Sequence, residues 1–132
     1  MDSLILEGTG DTPKVIFDKG NDHFEISGCS LPEDTNAFFE PIIDWLEEYL
    51  KSPNEATQFE FALEYFNTAS SKIFLDIFTR FEKLKQAGKQ VRVKWVYDED
   101  DEDMEMAGQE YAKLCDVEFE FMPVEGDDDD DF

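Results

Sequence analysis

The sequence predicts an α/β fold: a mixed β-sheet that begins with an N-terminal hairpin and carries three helices packed on one face. Three observations lead there. After the first 30 residues, helix-like and strand-like segments alternate, and such alternation builds parallel strands joined by right-handed helical crossovers. The later strands place apolar residues at every second position: Phe59, Phe61, Leu63 and Tyr65, then Val91, Val93, Trp95 and Tyr97, then Val117, Phe119 and Phe121. The positions between them carry Gln58, Glu60 and Glu64, then Gln90, Arg92 and Lys94, then Glu118 and Glu120. Strands covered by helices on both faces would be apolar throughout. All three helices therefore belong on one face, and the other stays largely open.

The elements follow in order. LILE (4–7) is a short first strand, and KVIFD (14–18) and HFEISG (23–28) flank the turn-rich KGND as a hairpin. A first helix is expected from Asp34 to Leu50, with Phe38, Ile42, Leu46 and Tyr49 at helical spacing. Pro41 inside that pattern predicts a kink or a later start. Gln58–Tyr65 is the next strand. A second helix is expected over Ser70–Ala87, with Ile73, Ile77, Phe81 and Leu84 on one face and Gly88 as its stop. QVRVKWVY (90–97) is a strand, Glu102–Leu114 a helix, and VEFEFM (117–122) the last strand. Arg92 and Lys94 gain acidic neighbours if strand 90–97 lies between strands 58–65 and 117–122. Cross-strand pairs of this kind contribute about 0.2–1 kcal/mol each.

A chain of 132 residues with 13 Phe suggests one domain with a real core, taken here as residues 1–125. Residues 126–132, with DDDDD at 127–131, read as an acidic disordered tail. Cys29 and Cys115 form no CxxC pair and are expected as reduced thiols of a cytoplasmic protein. No apolar run approaches the about 20 residues that span a bilayer, so no membrane insertion is expected. The formal net charge of −23 repels nucleic acid and anionic membrane surfaces.

Enzyme chemistry finds little support. His23 is the single histidine, which excludes a His-based triad and a multi-His metal site; its alternation with Phe24 and Ile26 places it on the open face. Cys29 and Cys115 lack a recognisable activating base and read as buried fillers. Asp98, Asp100 and Glu102 match loop positions one, three and five of a calcium-binding EF-hand, but Asp103 replaces the glycine at six and Gln109 the acid at twelve. A divalent-cation-binding or other small-ligand-binding domain stays as an alternative, and a dimer through the open face as a blander one. GTG (8–10) lacks the continuation of a phosphate loop or a dinucleotide fingerprint.

The joint YFNTASSKIF (65–74) is the remaining candidate. Asn67, Thr68, Ser70 or Ser71 could each cap the helix that follows, for about 0.5–2 kcal/mol. Hydroxyls beyond the carboxyl end of a parallel strand also stand where ligands of open α/β sheets bind. A phosphoryl group there would meet free N–H groups and the positive end of a helix dipole, with Lys72 in the same turn.

FEISGCSLPED, FFEPIIDWLEEYL, FEFALEYFNTASSKIFLDIF, GKQVRVKWVYDEDDEDMEMAGQEYA and the final FEF together resemble the SiaC-type bacterial regulatory phosphoproteins, from about residue 3 to 124. The resemblance implies a STAS-like fold and a non-enzymatic partner switch that uses no cofactor. It implies phosphorylation at Thr68, with Ser70 and Ser71 as fallback acceptors, and a partner-binding surface of Asn67, Thr68, Ala69, Ser70, Ser71 and Lys72. It further implies a histidine-kinase-like ATPase-type threonine kinase, a PP2C-type phosphatase, and a diguanylate cyclase effector bound and activated by the unphosphorylated form. Cyclic di-GMP signalling and biofilm growth or aggregation would be the output. The DDDDDF tail departs from the family pattern.

Overall fold

The computed structural model describes residues 1–125; the segment expected as a disordered tail lies outside the described residues. The described elements are strands β1 (Leu4–Leu6), β2 (Lys14–Asp18) and β3 (His23–Ser30), helix α1 (Thr35–Lys51), β4 (Ala56–Phe66), α2 (Thr68–Gln86), β5 (Gln90–Asp98), α3 (Glu102–Leu114) and β6 (Glu118–Val124). The six strands form one sheet in sequence order. β1, β2 and β3 pair antiparallel, whereas β3–β4, β4–β5 and β5–β6 pair parallel. The sheet is mixed, and each helix is a crossover between neighbouring parallel strands.

β5 lies between β4 and β6, the order its charges favoured. Arg92 reaches Glu118 at 3.4 Å and Glu120 at 3.8 Å. Lys94 stands in register between Glu60 and Glu120. The inward residues of the strands form one cluster with the buried faces of α1, α2 and α3. It is largely aromatic: Phe59 and Phe81 stack with centroids 3.8 Å apart, and Phe61 stacks with Trp95. α3 approaches β5 closely at Gly108, where a Cβ would stand 2.6 Å from the Trp95 ring. The Trp95 indole N–H donates to the Met104 carbonyl at 2.9 Å, which satisfies a buried donor.

Several boundaries and faces differ from the sequence reading. α1, Thr35–Lys51, keeps close to its expected bounds of Asp34 to Leu50, and only the late start expected as one effect of Pro41 is absent: the Asp34 carboxylate accepts from the Ala37 N–H at 3.1 Å and caps the helix ahead of the proline. Phe39, Phe74 and Phe78 are fully buried, while Phe38 and Ile73 are only half-buried at the margins of their stripes. A period of 3.6 lets neighbouring positions compete for one face, and packing decides between them. Cys115 is buried as expected, but Cys29 is only half-buried.

The largest departure lies in β4. Gly28 pairs with Leu63 but Cys29 pairs with Tyr65, so β4 carries one extra residue, Glu64. This bulge reverses the alternation. Tyr65, expected to face inward with Leu63, is 57% exposed. Phe66 turns inward instead and packs edge-on against Phe74 and Trp95. Gly28 sits at the slip with φ +98°, a conformation that glycine adopts readily.

Candidate functional site

The joint between β4 and α2 is built from four residues with separate tasks. Asn67 is extended and caps α2, its side-chain oxygen accepting from the Ser70 N–H at 2.8 Å. Helix α2 therefore begins at Thr68, two residues before the expected Ser70. Thr68 and Ala69 occupy the first two helical positions, and both are exposed. Their N–H groups have no acceptor within the helix, a consequence of its geometry. The Thr68 hydroxyl makes no hydrogen bond among the described residues.

Ser70 is fully buried. Its hydroxyl accepts from the Ser30 hydroxyl at 2.8 Å and donates to the Ser30 carbonyl at 3.1 Å. The Asn67 N–H donates to the same carbonyl at 3.1 Å. That burial removes Ser70 from the accessible acceptors and from any partner-facing surface. Ser71 is half-buried and held from the other side by α3. The Tyr111 hydroxyl donates to the Ser71 carbonyl at 2.9 Å and lies 3.0 Å from the Ser71 hydroxyl, which then donates to it. Burial pushes the Tyr111 phenol above its ordinary pKa, which keeps its donor proton in place.

The first turn of α2 is thus pinned by β3 through Ser30 and by α3 through Tyr111, and Thr68 stands out from it. Lys72 is exposed one turn later, on the same side as Thr68. Glu33, Asp34 and Asn36, at the start of α1, share a shallow groove with Ala69 and Lys72. Sequence reasoning missed Ser30 and Tyr111. Each lies 40 residues from its partner, and no local pattern in the sequence marks such a pair.

The other candidates have settled roles. His23 is exposed, with Nε2 3.1 Å from the Glu25 carboxylate. In the acidic run, Asp98 ends β5 and accepts from the Asp100 N–H at 2.9 Å, while Asp101 caps α3 by accepting from the Met104 N–H at 3.0 Å. Glu102, Asp103 and Glu105 fill the first turn of α3, where the helix dipole favours them. Among the described residues, no three His, Cys, Asp or Glu side chains converge so as to hold a metal ion. No described helix is long and apolar enough to cross a membrane.

The family described as SiaC family regulatory phosphoprotein matches residues 6–124. The chain belongs to the SiaC family. A Pseudomonas aeruginosa protein, of strain UCBPP-PA14, is 30% identical to this SiaC-family chain over 119 residues, covering 90% of this chain and 94% of its own. Solved structures agree. SiaC of Pseudomonas aeruginosa is 28% identical, with a TM-score of 0.83, over 94% of this chain and 100% of that one. A structure of the diguanylate cyclase SiaD in complex with its activator SiaC, from the same organism, contains a match 29% identical with a TM-score of 0.85, covering 92% of this chain and 99% of that chain.

Proposed function

We propose that this SiaC-family chain is a non-enzymatic, cytoplasmic partner switch set by reversible phosphorylation of Thr68. The observation that supports it most is the contrast inside one helical turn. Thr68 is exposed with a free hydroxyl, whereas Ser70 and Ser71 are tied down from behind. A kinase can reach Thr68 without unfolding the joint, and a phosphate there meets the free N–H groups of the helix start.

The unphosphorylated surface, formed by Asn67, Thr68, Ala69, Ser71 and Lys72 with the start of α1, docks onto and activates a diguanylate cyclase. SiaC is described as the activator of SiaD in their complex, and that description supports a cyclase as the partner class. Phosphate adds about −1.5 to −2 charge next to Ala69, at the edge of a groove whose lining includes Glu33 and Asp34 as well as Lys72. Repulsion and desolvation then release the effector, and cyclic di-GMP output and biofilm growth fall. A histidine-kinase-like ATPase-type threonine kinase adds the group, and a PP2C-type phosphatase removes it.

Calorimetry with the cyclase tests the switch. Thr68→Ala should bind about as tightly as the unmodified chain. Thr68→Asp should bind at least about tenfold more weakly, a difference of about 1.4 kcal/mol. Equal affinity of the two variants overturns the reading.

A further inference from the structure

The face of the sheet opposite the helices changes character along the strands. Towards the amino ends of the parallel strands it is charged. Gln58, Arg92 and Glu118 form one cross-strand row, and Glu60, Lys94 and Glu120 the next. One pleat further on it becomes apolar. Val96 pairs with Met122, and Ala62 directly follows Phe61, which pairs with Trp95. Ala62, Val96 and Met122 are half-exposed, and Val124 is 42% exposed. Polar alternation predicted an open face without such a patch, because it counted Glu64 and passed over Ala62 and Val96.

This patch is concave. Ala62, Val96 and Val124 line a shallow groove, with Glu64, Asp98 and Glu125 around it. Glu64 and Asp98 make no ion pair with any described residue. The chain continues from Glu125 with five aspartates among its last seven residues.

We infer that this groove is a second docking surface, and that it takes a basic amphipathic segment of a partner protein: a narrow apolar ridge flanked by Lys or Arg. An apolar floor gains from being dehydrated, and a rim of carboxylates selects positive charge at its edges. The same rim selects against other occupants. A second copy would bring a net charge of −23 and an identical acidic rim. The segment 126–132 would bring its own aspartates. This groove shares no lining residue with the groove at the start of α2, and on that separation a segment seated here is inferred to leave Thr68 uncovered. The chain can then hold one partner at α2 and another on the open face, with the phosphate acting on the first alone.

The test uses a fluorescently labelled, short leucine–lysine amphipathic peptide and anisotropy titrations of the full chain at physiological salt. Val96→Glu is the decisive variant, because it adds negative charge while spoiling the apolar floor. It should weaken binding about tenfold, and Ala62→Glu should do the same. Thr68→Asp should leave binding unchanged. If Val96→Glu and Ala62→Glu bind the peptide as tightly as the parent or more tightly, the attraction is a general one to acidic surface and the proposal falls. It falls equally if Thr68→Asp weakens binding as much as Val96→Glu. Val96 and Ala62 are half-exposed, and circular dichroism melts of both variants confirm that each is compared as a folded protein.

Discussion

The two strand-to-helix joints at β4–α2 and β5–α3 share one capping geometry but differ in charge. Asn67 and Asp101 each accept a hydrogen bond from the N–H three residues on, at 2.8 and 3.0 Å. Beyond the cap they diverge. The first turn of α3 carries Glu102, Asp103 and Glu105, whereas the first turn of α2 has no acid, in a chain with 34 acidic residues. Acids near a helix N-terminus contribute about 0.3–1 kcal/mol each. α3 holds that stabilisation permanently. α2 leaves its dipole unmet and presents a threonine hydroxyl instead. A permanently acidic joint has no second charge state to offer, while a neutral one leaves room for the phosphate proposed for Thr68.

The largest test of this contrast lies within α2. Ser70→Asp would bury a charge among Ser30 and the core and should cost about 3–5 kcal/mol, whereas Thr68→Asp should leave stability unchanged or raise it by about 0.3–1 kcal/mol. Urea denaturation of both variants measures the gap, and similar midpoints would mean that the turn is not pinned as described. Next in size are the caps. Asn67→Ala and Asp101→Ala should each cost about 0.5–2 kcal/mol. Only the Asp101 loss should shrink with added salt, since only that cap is charged.

Tyr111→Phe should cost about 1 kcal/mol by deleting the hydroxyl that holds Ser71. Hydrogen exchange should report faster opening of the α2 start in this variant, and unchanged protection there would separate the two elements. The smallest effect concerns pH at the far end of α3. Burial, with Glu82 and Asp116 adding to it, pushes the Cys115 thiol up to about 11. The unfolded thiol loses its proton near its ordinary value of 9.0 while the folded one keeps it. Stability should therefore fall as pH rises from about 9 to about 11. Denaturant midpoints across this window should drop less steeply for Cys115→Ala.

Much of the fold was legible because amphipathic strands report their own faces. Residues 90–97 announced a one-sided strand, and Arg92 announced a neighbour with acids, which proved to be β6. Thr68 entered through the family's FNT segment, and Asn67 was one of several plausible caps. Tyr65 misled, because its alternation with Leu63 is local while the bulge that turns it outward depends on pairing with β3, more than 30 residues earlier. Ser30 and Tyr111 were silent for the same reason.

By itself, the sequence determined the order of elements, the parallel crossovers and the buried face of the sheet, and its net charge of −23 made nucleic-acid partners unexpected. Those follow from side-chain periodicity and net charge, which are properties of neighbours along the chain. Tertiary structure decided which hydroxyl of the joint stands free, which of Tyr65 and Phe66 faces inward, and that the open face ends in an apolar groove. Each of these depends on what a distant strand or helix places against the residue. Burial and hydrogen bonding are settled between segments, and no single segment carries that information alone.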